Sequence, residues 1–492
     1  MTTIKRQKMN RLYKILLLLL VSINICSAQT IEKASDNTPK VIECPLLKQD
    51  FVIFRTQLQK SYPSLYRFNS KKKIDRLFDN YFLSINKNTS QIDFLAEIKL
   101  VLSYLQDGHF YAGASPELKQ YFDENTKVFP LQIRFINDNA YVVCSKKGSL
   151  LPETEILSIN GIQINEIKEK LFQYIVSDGK IETKKYVILN NNFWFYYRLV
   201  YGEQSDFKIE YKSKNNKIKT INLSSELYKN TECKNQKPDP DKYLSIDYKK
   251  GGIALLTIKT FNGEIFDQTK ENYIPFLEQT FKEIKDKKID NLIIDLRGNG
   301  GGRDTYGSLL YSYLTNTPFE YYTSLESTSQ KLTKNDLSSY KPKENPSEDY
   351  FRGRNNLATQ KPSLNNYAGK VYILIDGMSF STTAEFCAIA KSNNRALFIG
   401  EETGGGYFGN TSGNAVELVL PNTQIYVSIP TTKYVLSVKK DKYSNRGILP
   451  DYKITPTISE YIQDKDVQLE FALKLANQKI TQYNSKTKKD VE

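Results

Sequence analysis

Apolar positions change their period along the chain, and each change marks a different kind of unit. From about Pro45 to His109 they recur every three or four residues: Phe51, Phe54, Leu58 and Tyr62, then Ile74, Leu77 and Tyr81, then Phe94, Leu95, Ile98, Leu102 and Leu105. That spacing predicts amphipathic helices. The last opens on Ser90 as an N-cap with Asp93 three residues on, and stops at Gly108. Alternation then takes over in VFPLQIRFI, AYVVCS and EILSINGIQI, where Asn160-Gly161 reads as a tight turn before an amphipathic helix. A small β domain with one helix is expected there. Beyond a polar linker, TECKNQKPDPDK, the strands GIALLTIKTF, NLIIDLR, VYILIDG and ALFIG are almost wholly apolar and alternate with helices, one running from about Gln268 to Lys287. That pattern predicts an α/β unit whose sheet is buried on both faces and contains parallel pairs. A polar stretch from Glu326 to Asn366 reads as an excursion at one edge.

The first residues follow another logic. Lys5, Arg6, Lys8, Arg11 and Lys14 precede a short apolar run from Ile15 to Ile25, and Ser27 and Ala28 follow. This is the three-part pattern of an export signal, with cleavage expected after Ala28. The run is short for a membrane span, which needs about 20 residues. Cys26 raises a lipoprotein alternative, which the bulky Ile23 and Ile25 and polar Asn24 before it disfavour. The expected product is periplasmic or secreted. A length of 492 residues implies several folded units. They are expected as a signal peptide over 1–28, a helical region over 29–120, a β domain over 125–225, an α/β unit over 240–475 and a disordered tail over 476–492.

Charge and cysteines narrow the class. The formal charge of +14 falls to +9 once the signal and its five basic residues are gone. The remaining lysines are scattered, so no nucleic-acid partner is expected. No other segment could span a membrane. Cys44, Cys144, Cys233 and Cys387 are widely spaced with no CxxC pair, so no metal site is expected. Cys387, on an apolar helical face, reads as a buried free thiol, and pairing among the other three stays open.

Three segments carry chemistry. In IIDLRGNGGGR, Ile293 to Arg303, a strand ends in glycines whose N–H groups could form a phosphate cradle, an oxyanion hole or a tight structural turn. A nucleotide site fits poorly, since no Gly-Lys-Ser/Thr follows and Arg303 stands where the last glycine of G-x-G-x-x-G belongs. In VYILIDGMSFSTTAEFCAIAK, a buried strand turns at Asp376-Gly377 and Ser381 begins a helix. There it could be an ordinary N-cap, or a nucleophile beside the free N–H of Thr382. The closing glycine of G-x-S-x-G is missing, which disfavours the α/β-hydrolase elbow. The third is LQDGHF, whose His109 is the only histidine in the chain, so any chemistry needing an imidazole must use it.

Taken in order, DGH, the β segment, DLRGNGGG, the S-x-x-x-E-F helix start, RALFIGEETGGG and RGILPD resemble the S41 family of serine peptidases, the C-terminal processing or tail-specific proteases, from about Phe94 to Leu473. The resemblance implies a ClpP/crotonase-like catalytic domain, a PDZ-like β domain, a polypeptide substrate and no cofactor. The family places its serine fourteen residues before the arginine of the following Arg-Ala strand. Counting back from Arg395 gives Ser381, with Ser379 as fallback. The tail-specific branch has a lysine twenty-five residues after the serine; here Gly406 stands there. The tricorn-like branch uses an N-terminal histidine, which DGH matches at His109. That branch orients its histidine with a glutamate before Gly-Val/Ile-x-Pro-Asp, where this chain has Ser444 and Asn445; Asp107 is a further candidate. The implied mechanism is acyl transfer by Ser381 with His109 as base, and an oxyanion hole from Thr382 and Gly301 or Gly302. A different class remains open beside it: a non-catalytic peptide- or ligand-binding protein on the same fold.

Overall fold

A computed structural model describes residues 39–145, 147–231, 242–342, 351–440 and 445–478. The expected signal peptide, Cys26, Cys233, Ser444, most of the linker and nearly all of the expected tail lie outside the described residues.

The predicted N-terminal helices are Cys44–Ser61, Lys71–Ser84 and Gln91–Tyr104. Ser90 caps the third, its Oγ accepting the Asp93 N–H at 3.2 Å. Phe51, Phe54, Leu58, Ile74, Phe94, Ile98 and Leu102 form the core between them. That core continues into Leu420, Ile425, Val427 and Ile429 of a hairpin more than 300 residues away in sequence. After the third helix ends, Gln106 takes φ +57 and the chain passes through Asp107-Gly108-His109 into a short strand, Tyr111–Gly113. This strand pairs antiparallel with Tyr426–Leu436, Ala112 opposite Val427. Packing and pairing together pin the histidine segment to the α/β half.

The β domain is an antiparallel sheet in the order Ile218–Ser224, Asp206–Lys212, Glu155–Ile159, Asn139–Cys144, Gln132–Ile136. Asn160 and Gly161 both have positive φ, +52 and +81, and turn Ile159 onto Ile162. The predicted helix is Ile164–Phe172, but a second one, Thr183–Tyr201, was not expected. Its run of asparagines and aromatics lacks a clear helical stripe, and Asn192 departs from helical geometry inside it. Tertiary burial of Leu189, Phe193 and Tyr197 overrides that weak propensity.

In the α/β half, Leu244–Lys249, Ile253–Ile258, Asn291–Asp295, Lys370–Ile375, Leu397–Gly400 and Tyr452–Lys453 lie side by side in that order. Every pair after the first is parallel, with Leu255, Ile293, Tyr372 and Leu397 in one row across the sheet. Both faces are buried, as the continuous apolar strands predict. Ala254, Leu256, Ile294 and Ile373 face the main core, while Leu255, Ile293 and Leu374 face Ala472 and Ala476 of the helix Val467–Asn477. The single helix expected from Gln268 to Lys287 is two, Gly263–Thr269 and Tyr273–Asp286, separated at Lys270 with φ +58. Pro275 explains the break: it fits a first helical turn but would clash with the preceding turn of a continuous helix. The described part of the stretch from Glu326 to Asn366 includes Lys331–Thr333, the edge strand of a second sheet with Tyr322–Glu326, Tyr426–Leu436 and Thr411–Val419. Cys44 and Cys144 each take part in a disulfide, and Cys387 is a buried free thiol. Among the described residues no helix is long and apolar enough to cross a membrane.

Candidate active site

Two adjacent parallel strands deliver one wall of the site. Asn291–Asp295 runs into the glycine cluster, and Lys370–Ile375 runs into Asp376 and the turn before the helix Thr382–Ser392. The Asp376 carboxylate binds the turns together, accepting the N–H groups of Gly298, Met378 and Ser379 at 2.9 to 3.1 Å. The two serines of the turn now separate. Ser379 is fully buried, and its hydroxyl donates to the Leu296 carbonyl at 3.0 Å while accepting the Asp376 N–H at 3.1 Å. Its oxygen is spent on structure. Ser381 is half-buried, and its side chain does not cap the helix. Its backbone takes φ +56, ψ −129, a region that L-residues other than glycine avoid at a cost of about 1–3 kcal/mol.

The glycines permit this turn to lie against the other strand end. A Cβ on Gly301 (φ +98) would stand 2.7 Å from Ser381 Cβ and 3.0 Å from Thr382 N. A Cβ on Gly302 (φ +151) would strike the Phe261 backbone at about 2.0 Å. Thr382 Oγ1 donates to the Gly302 carbonyl at 3.0 Å and locks helix start to glycine turn. The N–H of Gly301 is already engaged, donating to Asn299 Oδ1 at 2.9 Å. Those of Gly302 and Thr382 have no partner among the described residues. Two unpaired N–H groups beside an unpaired serine hydroxyl, at a helix N-terminus, suit a developing oxyanion.

The opposite wall is assembled from distant segments. The His109 ring lies on Phe380, the residue before Ser381, with centroids 4.3 Å apart. Neither ring nitrogen has a hydrogen bond among the described residues. Asp107 Oδ1 accepts the His109 backbone N–H at 2.9 Å and stands 3.7 Å from Nδ1, an ion-pair distance rather than a hydrogen bond. Its Oδ2 accepts the Tyr62 hydroxyl at 2.7 Å. Burial works to raise the Asp107 pKa, but the imidazole and the Tyr62 hydroxyl outweigh it and hold the carboxyl below its usual range.

Two residues in this wall carry no sequence signal. Asp178, from the segment between the β-domain helices, accepts the Gly108 N–H at 2.6 Å and the Gly406 N–H at 3.1 Å. Burial, and then the neighbouring Asp107, raise its pKa. Lys184, on the unexpected helix, donates to the Gly108 carbonyl at 2.7 Å and places Nζ 3.2 Å from the Phe380 ring centre. Burial pulls its pKa down to about 8. Position 406, where the tail-specific branch has lysine, thus contributes only a backbone N–H. Asn445 is exposed and approaches through its carbonyl, which accepts the Lys180 N–H at 2.8 Å. Ligand atoms of Asp107, His109 and Asp178 lie within 4.8 Å of one another, close enough for a cation. The carboxylate oxygens are, however, already engaged by Tyr62 and backbone N–H groups.

Beneath the helix start is a second acidic layer. Glu385 accepts the Tyr322 hydroxyl at 2.6 Å and the Asn410 amide at 2.7 Å. Burial, with Asp304 nearby, pushes its pKa up to about 8. Asp304, also raised by burial, sits by Gly353, whose Cβ would come within 2.7 Å of it.

A strained serine with a free hydroxyl, unpaired N–H groups at its side and an imidazole packed on the same turn define a serine-type peptidase. Residues 252–454 match the model of peptidase family S41. The fold is similar to that of mature CPAF complexed with lactacystin, with a TM-score of 0.59 and 15% identity over 88% of this chain and 98% of that one. Mature CPAF alone gives 0.58 at 15% identity, covering 88% and 97%. The photosystem II D1 C-terminal processing protease gives 0.40 at 12% identity, covering 88% and 97%. At these identities the CPAF likeness is one of fold. No curated protein sequence matches the chain with significance.

Proposed function

We propose that the protein is an exported serine endopeptidase that cleaves unfolded or C-terminally exposed polypeptides, with Ser381 as nucleophile and His109 as base, as in the tricorn-like branch. On this reading the α/β half is ClpP/crotonase-like and the β domain PDZ-like. The observation that carries it is the strained backbone and unengaged hydroxyl of Ser381 beside the His109–Phe380 pair. His109 takes the Ser381 proton as the hydroxyl attacks a peptide carbonyl, and gives it to the leaving amine; water then releases the acyl-enzyme. No cofactor enters these steps. Thr382 and Gly302 N–H groups are the better oxyanion donors, with Gly301 acting by letting the backbones approach. Each donor is worth on the order of 100-fold in rate. Asp178 and Asp107 are the carboxylates available to orient His109, in place of the glutamate that the tricorn-like branch carries where this chain has Ser444 and Asn445. The Ser–His hydrogen bond closes in the substrate complex, as is common for such pairs.

The test is labelling with a fluorophosphonate probe beside hydrolysis of casein. Wild type should be labelled and should digest casein, while Ser381→Ala and His109→Ala do neither. Wild-type hydrolysis by both variants would overturn the assignment, and a wild type silent in both assays would favour the binding protein.

A further inference from the structure

A cavity of about 580 Å³ opens on the far side of the histidine segment. Gly108 and Lys184, which back the His109 wall, also line it, so it adjoins that wall. Its other walls are the helix Gln91–Tyr104, the strand Tyr111–Gly113 and the helix Thr183–Tyr201. The strand pairs with Tyr426–Leu436 along one edge and has no strand on the other among the described residues.

The lining is mostly aromatic and aliphatic, with four charged residues, Lys99, Lys119, Asp123 and Lys184. The Lys99 ammonium lies 5.7 Å from the Tyr111 ring, 5.7 Å from Phe195 and 5.9 Å from Tyr196. No carboxylate among the described residues pairs with it, and burial alone brings its pKa down to about 8. Ring faces compensate a buried ammonium by about 0.5–2 kcal/mol each, less than an anionic partner would supply. Exposed Lys119 and Asp123 carry opposite charges, and Lys184 faces Asp178 and Asp107, leaving Lys99 as the lining cation with no acidic partner among the described residues. An unpaired cation in an apolar pocket against the catalytic wall is suited to an anion carried on an apolar chain.

We propose that this pocket is a substrate subsite for a carboxylate, borne by the polypeptide as an acidic side chain or as its chain terminus, with Lys99 as the counter-ion. The proposal rests on the peptidase reading for the identity of the ligand. Its test does not require catalysis, because Trp194, the only tryptophan in the chain, lines the same cavity with its ring centre 4.1 Å from that of Tyr228.

The experiment titrates the Ser381→Ala protein with three peptides and follows Trp194 fluorescence, with mass spectrometry confirming that the probes stay intact. They are acetyl-Leu-Phe-Glu-amide, acetyl-Leu-Phe-Gln with a free carboxyl terminus, and acetyl-Leu-Phe-Gln-amide, which has no carboxylate. At least one acidic probe should bind about tenfold or more tightly than the neutral one, and which does so identifies the source of the carboxylate. Lys99→Gln and Lys99→Met should erase the preference, and Lys99→Arg should keep it. Equal binding of all three probes, binding of none, or a preference that survives Lys99→Gln would overturn the subsite. Loss of casein hydrolysis by wild type with the probe preference intact would instead count against the peptidase reading alone.

Discussion

The two walls of the site are built in opposite ways. The Ser381 wall comes from two neighbouring parallel strands and the turns that leave them, so its geometry is set by local backbone: glycines 301 and 302, the Asp376 clasp and a strained φ at Ser381. The His109 wall joins the Asp107–His109 segment to Asp178, Lys184 and Gly406 from well-separated stretches, held by packing and buried charge. A wall made of local turns should tolerate little in geometry, whereas one made of charges should respond to pH and to neutralisation.

The two serines of the turn should answer substitution in opposite ways. Ser381→Ala should lower casein hydrolysis by about 10⁴-fold or more and abolish fluorophosphonate labelling with the melting temperature unchanged or raised, because backbone strain rather than a hydrogen bond is what its side chain accompanies. Ser379→Ala should do the reverse. It removes a buried hydroxyl with two backbone partners, so stability should fall by about 1–3 kcal/mol while Ser381 still labels. Labelling that follows Ser379 would sink the assignment of the nucleophile.

The same contrast explains what could be read from the chain. Parallel strands, the glycine cluster, Ser381 at a helix start and His109 past a helix end are all local patterns, and the structure realises them. Asp178 and Lys184 are not local in any sense. Nothing in VSDGKIETKKY marks a carboxylate that will receive the N–H groups of residues 108 and 406, because that depends on how the β domain docks. The helix Thr183–Tyr201 leaves no clear pattern in the sequence for a related reason: its buried face is defined by the partners it meets rather than by its own periodicity.

If charge organises the His109 wall, neutralising Asp178 should matter more than neutralising any one exposed acid. Asp178→Asn keeps size and one acceptor but removes the charge facing His109 and leaves an amide against the N–H groups of Gly108 or Gly406. The expected loss in kcat/KM is roughly 10- to 100-fold, by analogy with removing the carboxylate that orients a metal-bound histidine. A structural defect alone would leave the shape of the pH–rate profile unchanged; loss of an orienting charge should move the limb set by the imidazole. Asp107→Asn supplies the comparison, since Asp107 lies beside Nδ1 and is held in place by Tyr62. A profile shifted only in the Asp107 variant would assign the orienting role to Asp107.

The smallest expected effect probes the acid layer under the Ser381 wall. Glu385 has a pKa raised from its ordinary 4.5 to about 8 by burial and by Asp304. Between those values the folded protein keeps a proton that the unfolded chain has released, so the group's contribution is fully present below pH 4.5 and is lost as pH rises through 8. Asp304, raised in the same direction to about 6, adds to the slope. Wild type should therefore be less stable at pH 8 than at pH 5, and Glu385→Gln should flatten that difference, gaining on the order of a few kcal/mol at pH 8 with little change at pH 5. Denaturant midpoints at the two pH values decide it. Parallel pH dependence in wild type and variant would mean that Tyr322 and Asn410 keep the carboxylate ionised, and that the Ser381 wall carries a fixed negative charge beneath its helix N-terminus rather than a neutral acid.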